Sequence, residues 1–183
     1  MKSWYEIYRD RMTQSYVNHV AMKYAPFIET LYDVDAEIAT EIGCGAGNIT
    51  RILREMQGSG KFYHLTDSCP QMLGLAVENN PMPNCLFSCS DALRHVPSDC
   101  SLIHSHGLLE HFHDEQIQEI VRIMKYGAPI QIHYVPGIKY KIPSRGDERL
   151  LEPDQWEDIL KRLGRVSVST FNDDHDIILR IER

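Results

Sequence analysis

The chain has 183 residues, 43% hydrophobic and 25% charged, and 26 acidic against 19 basic side chains give a formal net charge of −7. That is the make-up of a globular chain with a sizeable core, which excludes disorder and low complexity, and the acidic balance argues against broad adhesion to nucleic-acid phosphates. No apolar run approaches the roughly 18 residues of a membrane span, the opening MKSWYEIYRD is too polar for a signal peptide, and five cysteines without a C-x-x-C pair fit reduced thiols, so a cytoplasmic chain is expected, with no membrane or nucleic-acid partner.

Along the N-terminal 35 residues, Trp4, Tyr8, Met12, Tyr16, Val20 and Tyr24 recur every fourth position. Each step of four advances roughly 40°, so the stripe swings about 200° and one straight helix cannot bury it. Two helices are expected, broken near Ser15 to Asn18, wrapping over the sheet or over a pocket beside it. From there on, strand-like runs at Glu37 to Ile42, Lys61 to Thr66, Cys85 to Cys89, Leu102 to Ser105, Pro129 to Val135, Val166 to Phe171 and Ile177 to Ile181 alternate with helical segments. Ile49, Ile52, Leu53 and Met56 give one helical stripe stopped by Gly58; Ile117, Ile120, Val121 and Met124 give another, closed by Gly127. Pro153 opens a third helix whose stripe is Trp156, Ile159, Leu160 and Leu163, ended by Gly164. Such alternation predicts an α/β chain with a mostly parallel sheet. The final two strands are joined only by about Asn172 to His175, too short for a parallel crossover, so this pair must run antiparallel.

The strongest local signal is Glu41-Ile42-Gly43-Cys44-Gly45-Ala46-Gly47, directly after the first strand and before a helix. Alternate glycines let the chain turn sharply and let a ligand approach bare backbone, with the N–H groups of the helix start pointing at it. Asp67 follows at the end of the second strand, where doubly wound folds place a carboxylate on ribose hydroxyls. Position 48 is Asn, so the dinucleotide spacing G-x-G-x-x-G fails, and no phosphate-loop run exists.

The pattern E-x-G-x-G-x-G with an acid one strand later resembles the class I S-adenosylmethionine-dependent methyltransferases of the compact small-molecule type. TDSCPQML at 66 to 73, Ser90-Asp91-Ala92 after the third strand, SLIHSHGLLEHF at 101 to 112 and RIMKYGAPIQI at 122 to 132 resemble further segments of that family in its order, covering about residues 36 to 136. Ser101, Tyr126 and Ala128 depart from the usual family residues. The resemblance implies a doubly wound, Rossmann-like three-layer sandwich whose seven-stranded, mostly parallel sheet has one antiparallel C-terminal strand. It also implies a single domain over 1–183, with 1–35 as a helical cap and 36–183 as the cofactor-binding core. S-adenosyl-L-methionine is the implied cofactor, held by Glu41, Gly43, Cys44, Gly45, Gly47, Asp67, Ser68, Met72, Ser90, Asp91, Ala92 and His106. Within that set Asp67 is expected on the ribose, Met72 near the adenine and Asp91 on the adenine amino group.

The implied reaction is an in-line displacement that moves a methyl group to a small or medium-sized organic acceptor, and its main demand is alignment. Candidate catalytic residues are His106, then His111, with Glu110 beside them, since an imidazole titrates in the right range for a general base. Aromatic faces for the sulfonium or acceptor could come from Tyr5, Tyr8, Tyr16 or Tyr134. The pairs His104/His106 and His111/His113, with Glu110 or Asp114, could chelate zinc, but the family resemblance explains the segment without it, so no metal is expected. The alternative function is a non-catalytic S-adenosylmethionine-binding module or accessory subunit. With 36 to 183 taken by the sheet, only the first 35 residues and the loop Pro136 to Glu152 remain to cover an acceptor. That loop carries Lys139, Lys141, Arg145 and Arg149 against Asp147, Glu148 and Glu152, which would suit an anionic substrate on a monomer or homodimer.

Overall fold

A computed structural model describes residues 3–58, 60–94, 99–141 and 146–183. The chain divides into two compact units, Met1–Ala92 and Leu93–Arg183.

The first unit opens with helix α1 (Trp4–Tyr8), a 3-10 turn (Arg9–Arg11), α2 (Gln14–Lys23) and α3 (Ala25–Tyr32). The expected break at Ser15 to Asn18 therefore lies elsewhere, since those residues sit inside α2. Chain direction changes at Met12 and Thr13, where the Thr13 hydroxyl accepts the Tyr16 N–H at 3.2 Å and caps α2, and again at Tyr24, whose ψ of 23° interrupts the helix just before Pro26. An N-cap threonine and a proline that fits only the first turn outrank the four-residue spacing. Then follow β1 (Ile38–Ile42), α4 (Asn48–Gln57), β2 (Phe62–Asp67), α5 (Pro70–Asn79) and β3 (Cys85–Cys89). Strands β1 with β2, and β2 with β3, pair in parallel, the latter ending with Asp67 beside Cys89. On α4 the residues Ile49, Ile52 and Leu53 are buried as expected, whereas Met56, in the last turn, is 47% exposed.

The second unit holds β4 (Leu102–His106), a 3-10 turn (Leu109–His111), α6 (Asp114–Gly127), β5 (Ile130–Pro136), α7 (Pro153–Leu160), β6 (Arg165–Phe171) and β7 (Asp176–Glu182). All four stripe residues of α6 are essentially inaccessible, each contributing roughly 1.5–3 kcal/mol relative to an exposed position. β5 pairs in parallel with β4 and antiparallel with β7, which pairs antiparallel with β6. The reversed strand is thus β7, placed between β5 and β6. The hairpin joining β6 to β7 keeps Asn172, Asp173 and Asp174 all at positive φ, which Asn and Asp tolerate better than other side-chain-bearing residues. The strand order is β3-β2-β1 in the first unit and β4-β5-β7-β6 in the second, seven strands in all with helices between them, which is the mostly parallel architecture expected, with the strand bounds moved by about one residue.

Candidate active site

In the first unit the site is made chiefly of backbone. Gly43, Gly45 and Gly47 all have left-handed φ, of 64°, 55° and 68°. Gly47 is doubly constrained, because a Cβ there would stand 2.6 Å from Asn80 Nδ2 and 2.8 Å from Leu65 Cδ2. The loop is tied down from three sides. Gly45 N–H donates to Asp67 Oδ2 at 2.8 Å, linking the ends of β1 and β2. Asn79 Nδ2 donates to the Ala46 carbonyl at 2.9 Å and Asn80 Nδ2 to the Gly47 carbonyl at 3.1 Å. Glu41, 2% exposed, accepts the Thr50 hydroxyl and N–H on Oε2, at 2.5 and 3.2 Å, pinning β1 to the first turn of α4.

Asp67 also accepts the Cys69 N–H on Oδ1 at 2.8 Å, and its carbonyl receives the Ser90 N–H at 3.0 Å. The glycine loop, Asp67-Ser68 and Ser90-Asp91 are therefore gathered at the carboxyl ends of three adjacent parallel strands. A carboxylate can accept about four hydrogen bonds, so Asp67 keeps some acceptor capacity for a ligand hydroxyl. Burial raises the carboxyl groups of both Asp67 and Glu41 above their ordinary values, Glu41 to about 7. Met72, Ala46, Cys44 and Ala92 are buried, while Ser68 and Asp91 are exposed. Trp4, Tyr5, Tyr8 and Met12 pack against Ala46, Met72 and Leu75, so the N-terminal helix lies on the glycine loop. Tyr16 meets Tyr8 edge-on at 6.3 Å, one shell further out.

These residues fit the cofactor that the motif implies. The loop leaves its backbone bare where a Cβ could not fit, an acid stands at the end of the neighbouring strand, and a thioether-lined apolar surface adjoins both. Sequence reasoning missed Asn79, Asn80 and Thr50. An Asn pair after an apolar helix reads only as a helix stop, and its bonds to the loop span more than thirty positions.

In the second unit the crowded histidines separate into distinct roles. His104 is fully buried, neither ring nitrogen has a hydrogen-bond partner among the described residues, and burial lowers it to about 3, so it stays neutral in the core. Ser105 points to the opposite face and shares a 2.9 Å hydrogen bond with His133 Nδ1. His106, half-buried at the end of β4, stacks on Tyr134 with ring centroids 4.4 Å apart. Tyr134 is 3% exposed and its hydroxyl donates to Asp176, which makes it a support for His106. His113 caps α6, its ring accepting the Gln116 N–H while the Gln116 side chain accepts the His113 N–H. His111 Nδ1 lies 3.3 Å from Asp147 Oδ1. Glu110 is 3% exposed, and burial raises its carboxyl to about 8.

Of the basic side chains expected to form a lip on the loop after β5, two have acidic partners and Lys141 is exposed. Lys139 pairs with Asp174 at 3.0 Å, and Arg149 donates to Asp114 at 2.6 Å and to the Phe112 carbonyl at 2.9 Å; Arg145 lies outside the described residues. Among the described residues the group able to hold a metal ion is His111, Asp147 and Glu148, and it uses neither H-x-H pair intact.

Residues 39–127 match the family described as methyltransferase domain. That match, over a little under half of the chain, and the fold support a class I S-adenosylmethionine-dependent methyltransferase domain. Trans-aconitate 2-methyltransferase of Klebsiella pneumoniae (strain 342) is 24% identical over 156 residues, covering 76% of this chain and 60% of its own. A provisionally named O-methyltransferase of Nostoc punctiforme PCC 73102 superposes with a TM-score of 0.78 at 11% identity, over 98% of this chain and 60% of that one. Magnesium protoporphyrin IX methyltransferase of Synechocystis PCC 6803, solved with bound S-adenosylmethionine, gives 0.65 at 14% identity, over 100% and 98%. The chain thus spans about 60% of the first two relatives and nearly all of the third.

Proposed function

We propose that this chain binds S-adenosyl-L-methionine and transfers its methyl group, by in-line displacement, to a small or medium-sized organic acceptor. The observation that carries the reading is the 2.8 Å bond from Gly45 N–H to Asp67, which joins the glycine loop to the acid of the next strand. The cofactor supplies a methyl group already activated by its sulfonium. Asp67 accepts the ribose hydroxyls, Asp91 with Ser90 faces the adenine amino group, and Met72, Cys44 and Ala92 give apolar contact. The loop N–H groups and Glu41 with its Thr50 tie hold the amino-acid end, while Tyr5 and Tyr8 exclude water from the loop.

His106 takes the acceptor's proton when the acceptor is a hydroxyl or a protonated amine. Stacking on Tyr134 restrains its ring, so little rotamer freedom is lost on binding. The relative named for trans-aconitate supports a small acceptor in the same size class. No helix among the described residues is long and apolar enough to cross a membrane, and a cytoplasmic setting is part of this reading.

Calorimetric titration with S-adenosylmethionine and its demethylated product tests it. Wild type should bind both, and Asp67→Ala should weaken both by roughly tenfold or more, which is about 1.4 kcal/mol. No heat with either ligand in wild type sinks the reading. Binding of both ligands together with failure across a broad acceptor screen favours a non-catalytic binding module. Once an acceptor is found, His106→Ala should lower kcat by roughly 10²-fold or more with cofactor affinity retained.

A further inference from the structure

In the second unit, the end of the sheet that carries His106 is joined to the hairpin between β6 and β7. Tyr134 is the register partner of His106 on the neighbouring parallel strand, and the Gly107 N–H donates to the Tyr134 carbonyl at 3.1 Å, so the two rings stacked at 4.4 Å are fixed to adjoining backbones. The Tyr134 hydroxyl donates to Oδ1 of Asp176, which is 2% exposed at the start of β7. Oδ2 of the same carboxylate accepts the Asn172 side-chain amide at 2.7 Å. Both oxygens of Asp176 are thus engaged, one inside the hairpin and one on the ring that supports His106.

Closing the hairpin accounts for the Asn172 bond alone. Asn172, Asp173 and Asp174 hold φ of 53°, 55° and 64°, and three successive left-handed residues without a glycine persist only where the surrounding structure holds them. Here the hairpin is held against the end of β5: the Gly137 N–H donates to the His175 carbonyl at 2.8 Å, and a Cβ on Gly137 would stand 2.8 Å from the Asp174 carbonyl oxygen. Docked in that way, it delivers a buried carboxylate to the Tyr134 hydroxyl. Two further titratable groups adjoin His106, on its own strand and on the turn that follows, and neither supplies a charge near neutral pH. Burial keeps His104 neutral down to about 3, and Glu110, whose Oε1 lies 3.4 Å from where a Gly107 Cβ would stand, retains its proton up to about 8.

We propose that Asp176 is a positioning residue for His106: acting through the Tyr134 hydroxyl, it fixes the ring on which the imidazole stacks and favours the imidazolium form. The charge reaches His106 in two ways. A phenol that donates its O–H to a carboxylate carries more negative charge on its ring face, which is where a cation is attracted. The carboxylate itself lies one ring away in a poorly hydrated place, where opposite charges act on each other more strongly than in water. The Tyr134 proton stays on its oxygen throughout; the proton that His106 takes comes from the acceptor. That last step rests on the methyl-transfer reading, in which Asp176 makes His106 a stronger base. The stack and its carboxylate do not depend on it.

The test is an NMR pH titration of the His106 ring in the whole chain without ligand, its resonance assigned by its loss in His106→Gln. Tyr134→Phe keeps the ring and removes the hydroxyl; Asp176→Asn keeps the shape and removes the charge. The His106 titration midpoint should fall by about half a pH unit in the first and by about one pH unit in the second. Asn172→Gly keeps the left-handed φ and removes the hairpin bond, so it should leave the midpoint in place. An unchanged midpoint in either folded variant overturns the proposal. So does an equal fall in Asn172→Gly, which would mean that the hairpin as a whole, rather than the Asp176 charge, sets the imidazole. Circular dichroism establishes the folding of each variant, and Tyr134→Phe carries the test alone if Asp176→Asn does not fold. Calorimetry with S-adenosylmethionine is read separately, so a failure of cofactor binding in wild type sinks the methyl-transfer reading and leaves the titration result standing. With an acceptor in hand, Asp176→Asn should lower kcat by roughly threefold at unchanged cofactor KM, and the acidic limb of its pH profile should move down with the midpoint.

Discussion

The glycine loop of the first unit and the histidine segment of the second both look functional in sequence, and they differ in what makes them so. At the loop, chemistry resides in backbone N–H groups, and the residue types are those the backbone conformation requires. Positive φ at three alternate positions excludes almost everything but glycine, so the pattern reports its own geometry. In the histidine segment, chemistry resides in side chains, and one residue type occurs in four unlike settings: a dry core at His104, a stacked ring at His106, a carboxylate partner at His111 and a helix cap at His113. A shared identity there says nothing of a shared role.

The largest expected effect strikes the loop at its most constrained point. Gly47→Ala adds a Cβ 2.6 Å from Asn80 Nδ2 and 2.8 Å from Leu65 Cδ2 at φ 68°. Strain at that φ together with overpacking should destabilise the protein by about 3 kcal/mol and displace the Asn80 tie. Urea unfolding measures it. A loss below about 1 kcal/mol would mean the loop yields, and the contrast between a backbone-determined site and a side-chain-determined one would break down.

Next comes the acid beneath the loop. Burial raises Glu41 to about 7 from 4.5. Below pH 4.5 the carboxyl is protonated in both states. Between pH 4.5 and 7 the unfolded chain ionises while the folded one retains the proton, so this group's contribution to stability falls as pH rises, and above 7 it levels off. From pH 5 to pH 8 the loss is ~2 to 3 kcal/mol. Glu41→Gln keeps an acceptor for Thr50 and lacks the titration, so unfolding at both pH values should show the variant gaining that amount on wild type at pH 8 relative to pH 5. Equal pH dependence in the two proteins would remove Glu41 as a buried titrating group.

Parallel strands, crossover helices and the antiparallel end were legible because each rests on local period and loop length. Four residues between β6 and β7 leave no room for a crossover, whatever the rest of the chain does. The N-terminal break was misplaced because aromatic spacing was read without weighing Thr13 as a cap or Pro26 as a first-turn residue. Of the candidate site, the placement of Gly43 to Gly47 and of Asp67 was legible through backbone demands and strand ends, and that of Ser90-Asp91 through the family resemblance. Asn79 and Asn80 were not, because hydrogen bonds made across more than thirty positions leave no periodic trace, and Thr50 was not, because a threonine in a first helical turn does not announce the strand carboxylate it binds. Asp147 and Glu148 read as part of a charged loop, and only folding brings them to His111. The lysine and arginine count of that loop also overstated its positive charge, since Lys139 and Arg149 find acidic partners at positions 174 and 114.

The smallest effect separates neighbours in the histidine segment. His113 accepts the Gln116 N–H through its ring, an N-cap role that Asn or Ser performs at least as well. His113→Ala should cost about 1 kcal/mol in urea unfolding, and His113→Asn should restore it. Neither change should alter methyl transfer or S-adenosylmethionine binding, whereas His106→Ala should reduce turnover and leave stability nearly unchanged. If His113→Asn recovered stability but not turnover, His113 would have a chemical role besides its cap, and the division of the segment by setting would need redrawing. If it recovers both, two histidines seven positions apart, one a cap and one the proposed base, differ only in where the fold places their rings.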